Sequence, residues 1–152
     1  MTDSTPSPGP RLPEGYEFTA DSERIDVDRV HAWLSTDAYW ALGRTREKQA
    51  AAMRGSLNFG VIDRSSGLLV AYARVLTDEA TFAWLCDVYV DREARGKGLG
   101  VALVAAVREW LEPLGLRRML LATGDAHGVY EKVGFTALPK PEQWMVLHFD
   151  ES

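Results

Sequence analysis

The chain has 152 residues, 46% hydrophobic and 10% aromatic, which is enough for one cored domain and short for two. Its 22 acidic residues against 17 basic ones leave a net charge of −5, so the broad positive surface of a nucleic-acid binder is missing. A single cysteine, Cys86, and three scattered histidines exclude an internal disulfide and a multi-cysteine zinc site, and no metal is expected.

No apolar run approaches the ~20 residues a membrane span needs, and the N-terminus is polar where a signal peptide would be apolar. The expectation is a cytoplasmic protein with no membrane partner. In chain order, "MTDSTPSPGPRLPE" holds four of the seven prolines and predicts a disordered tail over 1–14, followed by one domain over 15–152. "YEFTADSERI" starts as a short strand. Val27, Val30, Trp33 and Leu34 recur at helical spacing behind Asp26, a capping residue, and "TREKQAAAMRGS" predicts a second helix opened by Thr45 and closed near Gly55. "LNFGVID", "LLVAYARVL" and "TFAWLCDVYV" predict an antiparallel meander joined by "RSSG" and "TDEA". "LGVALVAAVREWLEPLG" is the clearest helix, stopped by Pro113 and Gly115. "RRMLLAT" predicts a short buried strand, "DAHGVYEKVGF" a brief helix ended by Gly134, and "QWMVLHF" a final strand.

The stretch "DREARGKGLG", Asp91 to Gly100, sits between a strand and a helix and combines three glycines with three cations. Unpaired N–H groups at a helix start carry the positive end of its dipole, and glycines let an anion approach the backbone. A plain flexible turn is the competing reading. A Walker loop fails because Lys97 is followed by Gly98 rather than Ser or Thr, and a dinucleotide fingerprint fails because position 101 is Val101.

What remains, Arg95-x-x-Gly98-x-Gly100 behind "LCDVYV", resembles the acetyl-CoA pyrophosphate loop of the GCN5-related N-acetyltransferase (GNAT) superfamily. About thirty residues on, Val129-Tyr130-Glu131-Lys132-Val133-Gly134-Phe135 is similar to a second motif of that family, and the likeness covers about residues 15–150. "STDAYWALGRTREKQ" and "TGDAHGVYEKVGF" further resemble a bacterial subgroup of it. The resemblance implies an α/β fold, with a mixed and mostly antiparallel central sheet flanked by helices. It also implies an acetyl-CoA-dependent acetyltransferase in which acetyl-CoA meets Val88, Tyr89, Val90, Arg95, Gly96, Lys97, Gly98, Leu99, Gly100, Thr123 and Tyr130. Thr123 stands where many members carry asparagine, a departure that bears on that side chain's cofactor contact.

The implied chemistry needs a neutral amine, a polarised thioester carbonyl and a stabilised thiolate. The resemblance gives the carbonyl to main-chain N–H groups near Val88 to Val90 and the thiolate to the Tyr130 hydroxyl. For the base, Asp87 is unusual within an apolar strand and is read equally as a buried structural carboxylate. His127, three residues before Tyr130, is the second candidate. Asp37, Tyr39, Trp40 and Arg44 in "STDAYWALGRT" are candidate substrate contacts, with the aromatics and carboxylate suited to a cationic amine and Arg44 to a carboxylate. The expected acceptor is the primary amine of a small molecule. A protein or peptide amine and a non-catalytic acyl-CoA-binding module are the alternatives, and a homodimer is left open.

Overall fold

The computed structural model describes residues 10–149. Five strands form one sheet in the order β1-β2-β3-β4-β5: β1 Tyr16–Thr19, β2 Leu57–Asp63, β3 Leu69–Thr77, β4 Phe82–Val90 and β5 Arg118–Leu120. The first four pair antiparallel as the meander predicts, and β5 runs parallel to β4. Helices α1 Val27–Asp37 and α2 Arg46–Arg54 cover one face, and α3 Leu99–Leu111 covers the other, followed by the short α4 His127–Glu131.

The helices begin where the caps say they should. The Asp26 carboxylate accepts from the N–H of Arg29 at 3.1 Å, and the Thr45 hydroxyl accepts from that of Lys48 at 3.1 Å, each satisfying a donor the helix leaves open. Val30 and Leu34 of α1 are fully buried against Tyr72 and Tyr89 of the sheet, while Leu99, Leu103, Val104 and Val107 of α3 pack on Phe59, Val61 and Leu85. Alternation along the strands therefore feeds two cores, one on each face of the sheet.

Gly60 of β2 shows how tight the α1 side is. A Cβ there would meet Leu69 Cδ1 at 2.6 Å, Ile25 Cδ1 at 2.9 Å and the Ala71 carbonyl oxygen at 3.0 Å. Gly60→Ala is expected to destabilise by about 1–3 kcal/mol through overpacking, read as a lower urea midpoint.

Three expectations are corrected. The strand expected from "RRMLLAT" shrinks to three residues and is only partly buried, because it pairs with β4 solely at Phe82–Trp84. The helix expected through Gly134 ends at Glu131, since Gly134 turns back at φ +111° and the Phe135 N–H donates to the Tyr130 carbonyl. "QWMVLHF" is no strand of the sheet. Pro141–Gln143 forms a single 3-10 turn, and Met145 to Phe149 make no backbone hydrogen bond among the described residues. Of the tail expected over 1–14, residues 1–9 lie outside the described residues, and Leu12 packs on the α3-side core.

Candidate active site

Strand β4 carries a bulge on which the site is built. The register with β3 runs Tyr72 to Tyr89 and then Arg74 to Cys86, so β4 holds an extra residue there, and Asp87 takes φ +52°. Aspartate is one of the few side chains that tolerate this left-handed conformation. The bulge also reverses the strand's parity. Leu85 belongs to the α3-side core and so do Val88 and Val90, whereas Tyr89 belongs to the α1-side core. Asp87 meets side chains of the α1–α2 loop.

Those contacts commit its carboxylate. Trp40 donates its indole N–H to Oδ1 at 2.8 Å, and Arg44 Nη1 and Arg74 Nε donate to Oδ2 at 2.8 and 2.9 Å. Asp87's side chain is 1% exposed. Burial alone would raise its pKa, but the Arg44 hydrogen bond and the charges of Arg74 and Arg44 outweigh it and hold the carboxyl below the usual range. The group expected as a proton acceptor is a charged hub with three donors on it. Arg44 also donates to Gln49 Oε1 at 2.9 Å, and Gln49, wholly buried, keeps its Nε2 without a partner. Neighbouring Cys86 has its thiol pushed up to about 11, first by burial, so it stays protonated.

On the other side of β4 the strand edge is open. Beyond Trp84, β5 no longer pairs with it. The Asp91 N–H donates to the Val70 carbonyl, so by alternation the peptide groups of Val88 and Val90 face away from β3, toward that gap. The Val90 carbonyl accepts from Arg95 Nε at 2.9 Å.

The gap runs into the glycine-rich loop. Gly96 and Gly98 take φ +83° and +76°, and a Cβ on either would meet nothing within 4 Å. Helix α3 starts behind Gly98 with no side-chain cap. The N–H groups of Gly96, Lys97, Gly98, Leu99 and Gly100 enter no hydrogen bond among the described residues. This run of open donors with unobstructed space before it fits a diphosphate. Lys97 is exposed and donates to the Tyr16 hydroxyl at 3.1 Å.

Asp37, a candidate substrate contact, reaches this loop with its carboxylate. It accepts from the Tyr89 hydroxyl at 2.6 Å, from Arg92 Nε at 2.8 Å and from Arg95 Nη2 at 3.4 Å. The Arg92 and Tyr89 hydrogen bonds hold its carboxyl well below the usual range. Tyr39 spans to the β5–α4 loop, where its hydroxyl accepts from the Gly124 N–H at 2.8 Å. Thr123 turns its hydroxyl to the Ala126 N–H at 3.0 Å and supports the start of α4. Tyr130 is half-buried, edge-on to Phe135 with ring centroids 5.9 Å apart, and its phenol is pushed up to about 12 by burial, then by Tyr39 and Asp125. His127 is exposed and lines the same groove as Tyr130.

The sequence reading missed Arg74, Arg92 and Gln49. Arg74 had a visible signal: it is a charge inside an apolar strand, one hairpin away from another such charge at Asp87. Arg92 and Gln49 had none, because their partners lie in other elements.

A bulged antiparallel strand beside an uncapped, glycine-rich helix start is an arrangement suited to a ligand with a diphosphate and an extended arm. The chain belongs to the Acetyltransferase (GNAT) family, whose model matches residues 27–135, and is an acetyl-CoA-dependent acyltransferase. A GNAT-family structure from Xanthomonas campestris pv. campestris is 39% identical, with a TM-score of 0.83, and the match covers 91% of this chain and 95% of that one. A candidate acetyltransferase of Gibberella zeae is 29% identical over 77% of this chain and 76% of its own. A mycothiol acetyltransferase of Thermobispora bispora is 29% identical over 88% of this chain and 50% of its own. Among the described residues no helix is long and apolar enough to cross a membrane.

Proposed function

We propose that this protein transfers the acetyl group of acetyl-CoA to the primary amine of a small molecule by direct attack. The observation that carries this reading is the bulge in β4, with open peptide groups on one side and a clamped aromatic and arginine wall on the other. Acetyl-CoA supplies the activated thioester when bound. The N–H groups of Gly96 to Gly100 bind its pyrophosphate, with Arg95 and Lys97 adding charge. The Val88 and Val90 peptide groups bind and orient the pantetheine arm and polarise the carbonyl. The Tyr130 hydroxyl donates a hydrogen bond at the sulfur.

The acceptor lies against Tyr39, Trp40 and Arg44. Two guanidinium groups on one carboxylate leave the Asp87–Arg44–Arg74 cluster with one net positive charge, which favours an amine that also carries an acidic group. Asp87 is here a positioning residue that fixes Trp40 and Arg44, and the amine proton leaves through water or His127. The relative named for mycothiol supports a small-molecule acceptor. A peptide amine is the second reading, favoured by Tyr39, Trp40 and Leu42, each more than 40% exposed.

Calorimetry with acetyl-CoA followed by a thiol-release assay tests this. Turnover with small carboxylate-bearing amines and none with peptides is expected. Turnover with peptides alone supports the second reading, and binding without turnover over a broad panel leaves only an acyl-CoA-binding module. Gly98→Val is expected to weaken acetyl-CoA about tenfold, because the side chain fills the space the diphosphate needs. Its positive φ adds strain of about 1–2 kcal/mol, seen as a melting point lowered by a few degrees. Gly100→Leu separates the two effects. At Gly100 a Cβ meets only Val90 Cγ2 at 3.5 Å, so affinity falls with little change in stability.

A further inference from the structure

The loop between β5 and α4 leads into the short helix that presents His127 and Tyr130, yet little holds it to the rest of the molecule. β5 pairs with β4 no further than Leu120. Inside the loop the Thr123 hydroxyl accepts from the Asp125 N–H at 3.4 Å and the Ala126 N–H at 3.0 Å, both local bonds. Over residues 122–126 one hydrogen bond among the described residues leaves the loop and its helix: the Gly124 N–H donates to the Tyr39 hydroxyl at 2.8 Å.

The α1–α2 loop on the other side is firm. The Ala41, Gly43 and Arg44 N–H groups donate to the Ala38, Ser35 and Ala41 carbonyls at 2.9, 2.9 and 3.0 Å, and His31 Nε2 donates to the Arg44 carbonyl at 2.8 Å. Trp40 is fixed to Asp87, and Tyr39 stands edge-on to Trp40 with ring centroids 5.0 Å apart. Asp87, Trp40, Tyr39 and Gly124 therefore form one chain of contacts that crosses from the bulge in β4 to the loop before Tyr130. The Tyr130 phenol is pushed up first by burial and next by Tyr39, so the two phenols are neighbours. Tyr39 is itself 55% exposed, and its own O–H finds no acceptor among the described residues. We propose, building on the transfer reaction above, that Tyr39 is the specificity-determining residue of the acceptor site: latched to Gly124, it bars the opening between Trp40 and Tyr130 to a peptide and leaves room beneath it for a small amine.

A peptide that brings its N-terminal amine to the thioester must lead its following residues out through the gap that Tyr39 crosses, and they displace the ring. A free amino acid ends inside the wall, with its carboxylate toward Arg44. Specificity of this kind comes from what the site obstructs as much as from what it binds. Two substitutions reach the same bond from opposite ends. Tyr39→Phe keeps the ring and its edge contact with Trp40 and removes only the accepting oxygen. Gly124→Ala keeps the oxygen and crowds it, because a Cβ there stands 3.0 Å from the Tyr39 hydroxyl and 3.5 Å from its Cζ. Gly124 does not take a positive φ, so alanine adds no backbone strain.

The test compares the full chain, both single variants and the double variant on two acceptor panels, free amino acids and octapeptides with free N-termini. Acetyl-CoA affinity by calorimetry and melting temperature are measured beside the kinetics. Wild type is expected to acetylate amino acids in preference to octapeptides. Each variant is expected to keep acetyl-CoA affinity and melting temperature and to raise KM for amino acids more than it lowers kcat. The kcat/KM ratio should shift toward octapeptides by about tenfold, the scale of one hydrogen bond. The double variant should match the singles, since the bond is lost only once. Exchange of the Gly124 amide, followed by NMR, should be about tenfold faster in Tyr39→Phe. A ratio unmoved in both variants, or an unchanged Gly124 exchange rate, overturns the latch while acetylation of amino acids by wild type leaves the transfer reading standing. Wild type that takes octapeptides as readily as amino acids overturns the latch as well. Acetylation of neither panel removes the transfer reading, and this selection falls with it.

Discussion

Asp87→Asn is expected to destabilise the folded protein by about 3–5 kcal/mol, a large part of the roughly 5–15 kcal/mol a domain of this size has. The carboxylate takes three donors, from Trp40, Arg44 and Arg74, at 2.8 to 2.9 Å, and almost none of it reaches solvent. An asparagine must turn its NH₂ group toward at least one of those donors, and it leaves two guanidinium groups in a half-buried site with no counter-charge. Asparagine accepts the left-handed backbone at this position, so the loss reports the charge and not the bulge. Urea denaturation gives the magnitude, and pH gives the cause. The folded-state pKa of Asp87 lies below its unfolded value of about 3.9, so the stabilisation is complete above that value and is lost as pH falls through the folded one. Wild type should therefore lose stability steeply below about pH 4, and the Asp87→Asn protein should show a flatter profile there. A variant that is instead stable, slow and altered in the acid limb of its rate profile would return Asp87 to the role of base.

Tyr130→Phe should lower kcat on the order of 10²-fold and leave acetyl-CoA affinity and melting temperature nearly unchanged. The phenylalanine ring keeps the edge contact with Phe135, so only the hydroxyl is lost. With the phenol pushed up to about 12, Tyr130 is neutral over the working pH range. Full proton transfer from it to an ordinary thiolate is uphill by about 5 kcal/mol, so the group works as a hydrogen-bond donor to developing charge. Stopped-flow or steady-state kinetics beside calorimetry separates the two quantities, and wild-type turnover would remove Tyr130 from the chemistry. His127→Ala is the comparison: as an exposed residue it should not change stability, and if it carries the amine proton it should lower kcat while leaving acetyl-CoA affinity unchanged.

The meander and the three longer helices were legible because they are governed by local patterns. Apolar runs bounded by the turn residues of "RSSG" and "TDEA" set β2, β3 and β4, period-3.6 apolar spacing set α3, and Asp26, Thr45 and Gly55 marked helix ends through bonds within one turn. The glycine-rich loop was legible for the same reason, since Gly96 and Gly98 occupy positive-φ positions that the sequence advertises. The end of the chain misled because "QWMVLHF" has strand composition, and composition does not say whether a neighbouring strand is available. The wall around Asp87 was half legible. Its charge stood out, but its partners come from a loop 43 residues upstream and a strand 13 residues upstream, which no local pattern links. Asp37 was half legible: beside two aromatics it reads as a cation contact, and its partners Arg92 and Arg95 come from 55 and 58 residues away, which no local pattern links.

On the proposed function, Asp37 ties the loop proposed for the acceptor to the one proposed for the diphosphate, and the two sites are then expected to be thermodynamically linked. It closes α1 at the entrance to the acceptor loop, yet its partners Arg92 and Arg95 flank the start of the glycine-rich turn. If Arg95 turns toward a diphosphate as proposed, Asp37 keeps Tyr89 and Arg92 but loses one cation, and the last turn of α1 is held by fewer bonds. Whatever free energy that release adds to or subtracts from acceptor binding must reappear, with the same size and sign, in the effect of the acceptor on acetyl-CoA binding. An Asp37→Asn protein should therefore show its change less in either affinity alone than in the factor by which each ligand alters the affinity of the other.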